Sequence, residues 1–88
     1  MRVPTVAVLM DLPPDHPYHR ATLAALDHAA SGSPVRSVVV PTDSIGGRTA
    51  RSLGEAVVVG PGSPYVDADA VLEVIASARE QGVPLVGT

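Results

Sequence analysis

The sequence predicts an α/β fold, in which a parallel sheet of about four strands and its flanking helices form part of a three-layer α/β/α arrangement. Two observations lead to this prediction. Short runs of β-branched residues, such as 38–40 and 57–59, alternate along the chain with stretches of helical periodicity. Strands separated by helices favour a parallel sheet with right-handed crossovers. Continuous apolar runs are typical of strands that are covered on both faces.

Three elements are predicted in the first half of the chain. Residues 3–10 form the first strand, with Pro4 at its start, where a missing N–H is tolerated. A helix follows from Pro17 to about residue 30, and residues 35–40 form the second strand, which Pro41 ends. The predicted apolar stripe of the helix consists of Leu23, Leu26, Ala29 and Ala30.

The second half predicts a short helix, a strand, a long helix and a final strand. Residues 48–53 form one or two helical turns, and residues 56–59 form the third strand. Asp67 or Asp69 caps a helix that runs to about residue 81, and residues 83–87 form the fourth strand. Gly82 is a plausible helix-ending residue. The predicted buried stripe of the long helix consists of Val71, Val74, Ile75 and Ala78.

Length and composition exclude several classes of protein. The 88 residues allow one small domain, and 45% of them are apolar, as in a globular chain. No apolar run of about 18 residues or signal-peptide pattern occurs, so we expect a cytoplasmic protein without a membrane partner. A net charge of −3, with no lysine, phenylalanine or tryptophan, argues against nucleic-acid binding. Without cysteine there is no disulfide, thiolate metal site or cysteine nucleophile in these residues.

The sequence predicts few helices for a sheet of this kind. Two clear helices and one short one must cover both faces of four strands, which is less cover than a parallel sheet usually has. Ligands of such sheets bind beyond the carboxyl ends of the strands, and the last strand is followed only by Thr88. We therefore expect residues 1–88 to be the N-terminal half of a larger α/β domain.

Three stretches of the chain carry a resemblance to a known family. They are residues 6–11 with the helix that contains His19-Arg20-Ala21, residues 38–43, and residues 58–65 with residues 76–88. Together they resemble the class I glutamine amidotransferase domain, specifically the stand-alone type similar to CTP synthase and also described as UTP–ammonia ligase-like. The resemblance covers the whole chain but less than half of the family's domain.

The resemblance implies a flavodoxin-like sheet and a glutamine-hydrolysing activity in the complete domain, with glutamine as substrate and no cofactor. In that family the segment that matches residues 85–88 leads into the nucleophile elbow, and this chain ends one residue before the expected cysteine. The histidine and glutamate of the triad would lie further on. The resemblance thus implies no catalytic residue within these 88 residues, and we expect the chain alone to be inactive.

Residues 60–65 contain the candidate site. Pro61-Gly62-Ser63 matches the family's oxyanion strand, so the resemblance implies that the backbone N–H groups of Gly62 and Ser63 form an oxyanion hole. Glycine allows close approach to a substrate, and preorganised N–H donors stabilise a developing negative oxygen. Pro64 cannot donate an N–H. Ser63-Pro64-Tyr65 replaces the glycine-rich run of CTP synthase itself, and the stand-alone relatives are similar to this chain at these positions. An ordinary turn between strand and helix is the alternative.

Other polar residues have a functional and a structural interpretation. Asp11 follows the first strand and could line the pocket rim, although a capping or turn role is favoured. Tyr65 could also line the rim, or could cover the sheet edge. His16 and His19 beside Asp15 could suggest metal ligands, but polar loop and helix-start residues are the favoured interpretation, and we expect no metal.

Two further functions stay open beside the partial amidotransferase domain, which would need a complementary C-terminal half as its partner. A non-catalytic α/β module could bind a partner or dimerise through an uncovered apolar face, because exposed apolar patches mark interfaces. A weaker third alternative is a small flavodoxin-like domain that binds a phosphorylated ligand at residues 60–63. That segment is a poor dinucleotide or P-loop motif, since it lacks a third glycine and a lysine.

Overall fold

The predicted α/β class is confirmed by the structure, a computed structural model that describes residues 3–29, 33–61 and 65–87. All the strands pair in parallel, in the order β2-β1-β3-β4. This is the order of a flavodoxin-like sheet, in which the chain first builds outward on one side of β1 and then on the other. The strands are β1 (Thr5–Leu9), β2 (Arg36–Val40), β3 (Ala56–Val59) and β4 (Leu85–Gly87).

Helices lie on both faces of the sheet. Leu23 and Leu26 of the first helix pack on one face, against Val8 and Val58. The second and third helices pack on the other face, around Ala7, Leu9, Val57 and Val59. The helices are α1 (Pro17–Ala29), α2 (Ala50–Leu53) and α3 (Ala68–Gln81), and a 3-10 turn spans Thr42–Ser44. Among the described residues, no helix has the length and apolar character needed to cross a membrane.

β1 is the centre of the core. Its residues Ala7, Val8 and Leu9 are all 0% exposed, because β2 and β3 pair with its two edges while helices cover its two faces. A strand enclosed in this way has no solvent-facing side, which explains the continuous apolar run in its sequence.

α3 begins and ends as the sequence predicts. The Asp67 side chain caps its start by accepting the Ala70 N–H at 3.0 Å. Gly82 ends it in the left-handed conformation, with a φ of 69° that favours glycine. The predicted stripe faces the sheet, with Val71, Val74 and Ala78 buried and Ile75 packed against the same cluster.

Several predicted boundaries were wrong by one or two residues. The first strand, predicted over 3–10, spans Thr5–Leu9, and β2 begins at Arg36. β4 begins at Leu85 and not at residue 83, because the Val83 N–H donates to the Ala78 carbonyl at the end of α3. Proline at position 84 has no N–H to add to a ladder.

The predicted stripe of α1 was also partly wrong. Ala29 is exposed, so it does not widen the apolar face, while Ala30 lies outside the described residues. Leu23 and Leu26 are half-buried against the sheet, as predicted. The short helix predicted over 48–53 is present but begins at Ala50.

We expect Leu9→Ala to lower the free energy of unfolding by about 2–5 kcal/mol, because it leaves a cavity at a fully buried site. Leu72→Ala is the matched control, since Leu72 is 63% exposed on α3 and its truncation should change stability by less than about 0.5 kcal/mol. Urea unfolding followed by circular dichroism measures both. Equal losses in the two variants would contradict the position of the core.

Candidate functional site

The strand order indicates that the candidate site lies at the carboxyl ends of the strands, which we call the carboxyl edge of the sheet. β2 and β3 lie on opposite sides of β1, and the connections that follow β1 and β3 lead to helices on opposite faces. In open parallel sheets, ligands bind at such a switch point, beyond the carboxyl ends of the strands. At this edge, β1 is followed by Met10 and Asp11, and β3 by Gly60.

Asp11 binds two connections that are distant in sequence. Its Oδ1 accepts the Thr42 N–H at 2.8 Å, and its Oδ2 accepts the Thr42 hydroxyl at 2.7 Å and the Val66 N–H at 2.9 Å. Thr42 is fully buried, and Asp11 is half-buried. The carboxylate therefore joins the end of β1 to the turn after β2 and to the backbone that leads into α3.

The same contacts set the protonation of Asp11. Burial acts to raise the pKa of its carboxyl, but the hydrogen bonds from the Thr42 hydroxyl, the Val66 N–H and the Thr42 N–H outweigh that effect. The pKa consequently lies below its ordinary value, and the group is ionised at neutral pH. A carboxylate with these donors is a strong acceptor, as a structural anchor requires.

A hydrogen bond between Tyr65 and Gly60 joins two parts of the connection between β3 and α3. The Tyr65 hydroxyl donates to the Gly60 carbonyl at 2.7 Å, and the Gly60 N–H donates to the Leu9 carbonyl at 2.9 Å. A Cβ at position 60 would lie 3.2 Å from the Met10 Cβ, which is a tight contact. Glycine at this position thus lets the end of β3 lie close against the residue that follows β1.

The two predicted rim residues, Asp11 and Tyr65, both lie at this edge, each hydrogen-bonded to the connection between β3 and α3. For Asp11 the contacts are those of the turn role that the sequence favoured. Gly62 and Ser63, the predicted oxyanion donors, lie outside the described residues, so their role stays a prediction.

His19 is a buried polar residue that the sequence analysis did not place in the core. It is 7% exposed, and its Nδ1 lies 2.9 Å from the Leu12 carbonyl oxygen. Because a carbonyl oxygen only accepts, Nδ1 carries the proton. The spacing of His19 to Leu23 and Leu26 is that of one helix face, a signal that could have placed it on the buried stripe.

The histidines do not converge on a common point. His16 Nδ1 accepts the Tyr18 N–H at 3.1 Å, whereas His19 faces the Leu12 carbonyl. Within the described ranges, no three histidine, aspartate or glutamate residues are grouped so that they could hold a metal ion. The contacts of both histidines are accounted for by local backbone hydrogen bonds.

We expect Asp11→Asn to lower the free energy of unfolding by about 1.5–3 kcal/mol at neutral pH, since hydrogen bonds to a charged acceptor are lost. The folded-state pKa is lowered, so the contribution of the carboxylate is complete above the unfolded-state pKa of about 3.9. It is lost as the pH falls through the folded-state value. Wild type and variant should therefore converge in stability when urea unfolding is repeated from about pH 7 to about pH 2.

Asp15→Asn is the control for this pH series, because Asp15 is exposed in the loop that follows the same strand. The free energy of unfolding of the Asp15→Asn variant should follow the same pH dependence as that of the wild type. A constant difference between wild type and Asp11→Asn down to the acid end would contradict the assigned role of the Asp11 carboxylate.

The chain was also compared with known proteins. No family model, curated protein or solved structure matches it.

Proposed function

We propose that this chain is part of a class I glutamine amidotransferase domain similar to CTP synthase, and that it supplies the oxyanion strand of a glutamine-hydrolysing site. One observation carries the proposal. The order β2-β1-β3-β4 brings the start of the connection that contains Gly62 and Ser63 beside the end of β1, at the switch point of the sheet. The family resemblance assigns its oxyanion donors to that same connection.

The chemistry requires a nucleophile from outside these 88 residues, which contain no cysteine. In the complete domain, a cysteine thiolate attacks the side-chain amide carbon of glutamine, and the carbonyl oxygen becomes an oxyanion. The N–H groups of Gly62 and Ser63 would donate to that oxygen and lower the barrier. Ammonia then leaves, and water releases glutamate from the thioester.

Two contacts at the described ends of the connection support this proposal. The hydrogen bond between Tyr65 and Gly60 joins its first residue to Tyr65, and the Asp11 carboxylate accepts the Val66 N–H. Donors of an oxyanion hole must be in place before the charge develops, because reorganisation during the reaction would raise the barrier. A connection whose flanks are anchored suits that requirement.

We expect the 88-residue chain alone to release no ammonia from glutamine, because it lacks the nucleophile. Mixed with the C-terminal half of a stand-alone CTP synthase-like amidotransferase domain, it should release ammonia in a coupled glutamate dehydrogenase assay. Each half alone is the control. Turnover by the chain alone, or no turnover by a mixture shown by sedimentation to form a complex, would contradict the proposal.

Gly62→Pro removes one of the proposed donors, and we expect it to lower kcat of the complemented enzyme by about 100- to 1,000-fold. The variant must still form the complex, which sedimentation verifies. An unchanged kcat in an intact complex would show that the position 62 N–H does not stabilise the oxyanion.

A groove on the α1 face favours a second candidate function, a non-catalytic module that pairs with a second copy of itself. The groove has a volume of about 390 Å³ and lies between α1 and the strands β3 and β4. Val86 of β4 is 61% exposed there, because α1 packs against β1 and β3 and leaves β4 uncovered. Its lining is Ala21, Thr22, Ala25, Leu26, Val58 and Val86.

If this groove is the surface of a dimer, the wild-type chain should sediment as a dimer at micromolar concentration, and Val86→Lys should make it monomeric, since a buried lysine charge is costly. Leu72→Lys is the matched control on α3, across the sheet, where Leu72 is 63% exposed. It should leave the dimer intact. A wild-type monomer, or dissociation by both variants, would rule out the groove as the interface.

A further inference from the structure

A series of hydrogen bonds at the carboxyl edge joins three connections that are far apart in sequence. Asp11 follows β1, Thr42 begins the 3-10 turn after β2, and Val66 and Asp67 precede α3. The Asp11 carboxylate accepts from both Thr42 and Val66, and the Thr42 hydroxyl accepts the Asp67 N–H at 2.9 Å. The backbone that enters α3 is thus bound at two successive amides.

The two partners of the Thr42 hydroxyl fix its orientation. An ionised carboxylate only accepts, so the hydroxyl hydrogen points to Asp11 and an oxygen lone pair receives the Asp67 N–H. Thr42 is 0% exposed, so its hydroxyl has no contact with solvent, whereas its partner Asp11 is half-buried and Asp67 is exposed. A side chain of the same shape without the oxygen atom would remove both hydrogen bonds.

We infer that Asp11 and Thr42 are positioning residues, which hold the backbone of Val66 and Asp67 in a fixed place relative to the ends of β1 and β2. The inference rests on the proposed function, because this edge is where that proposal places the chemistry. Asp67 also caps α3 through the Ala70 N–H, so the place of its backbone sets where the helix starts. Asp11 and Thr42 would act on the reaction through this backbone, without touching the substrate.

The chain alone provides the first test, through amide hydrogen exchange measured by NMR. Thr42→Val should accelerate exchange at Val66 and Asp67 by about tenfold or more, because their acceptors are displaced or lost. Thr42→Ser keeps the hydroxyl and should restore near wild-type exchange. Thr22→Val is the matched control, since the Thr22 hydroxyl donates to the Tyr18 carbonyl within α1. Unchanged exchange at both amides in Thr42→Val would overturn the inference.

If Thr42→Val does not fold, Asp11→Asn tests the same contact, because it keeps the shape of the side chain and weakens the acceptor of the Val66 N–H. Exchange at Val66 should then accelerate by about tenfold, in a folded variant. Wild-type exchange at Val66 in that variant would overturn the inference equally.

The second test uses the complemented enzyme. Thr42→Val should lower kcat by about 10- to 100-fold with an unchanged KM, and Thr42→Ser should restore it, because misplaced backbone affects the transition state. An unchanged kcat, or a rise in KM alone, would overturn the inference. Absence of turnover by a wild-type mixture that forms the complex would instead refute the proposed function, and the exchange data would then decide the positioning role.

Discussion

The enclosure of β1 between β2 and β3 is the constraint on which the rest of the structure depends. With partners on both edges and helices on both faces, β1 leaves Ala7, Val8 and Leu9 no contact with solvent, and all three are apolar. The same enclosure makes the chain extend first to one side of β1 and then to the other. The connections that leave the ends of β1 and β3 therefore diverge, and this divergence creates the edge at which Asp11 lies.

The sequence predicted those parts of the fold whose signals are local. The third strand and α3 have their predicted bounds. For α3 this is because Asp67 and Gly82 supply a cap at each end of the helix. Strand ends were harder to predict, since they depend on which backbone groups find a partner. β4 begins late because Val83 completes the end of α3, a competition that no local pattern reveals.

The candidate site was predictable only in part. Its polar residue after β1 could be placed at the edge, because carboxyl ends of parallel strands meet there, and Asp11 does lie there. Its partners could not be predicted, since Thr42 and Val66 are 31 and 55 residues away along the chain. His19 is a different case. Its helical spacing to Leu23 indicates the buried face, but a polar ring near the start of a helix is also typical of an exposed residue.

The hydrogen bond between Tyr65 and Gly60 gives the protein a built-in optical reporter. The chain has two tyrosines and no tryptophan, so its intrinsic ultraviolet emission comes from Tyr65 and Tyr18 alone. Tyr18 is 63% exposed beside the His16 ring, whereas the Tyr65 phenol is half-buried against the end of β3. Replacing Tyr18 with phenylalanine would leave Tyr65 as the only tyrosine, and the intensity of its emission would report occupancy of that edge without any attached dye.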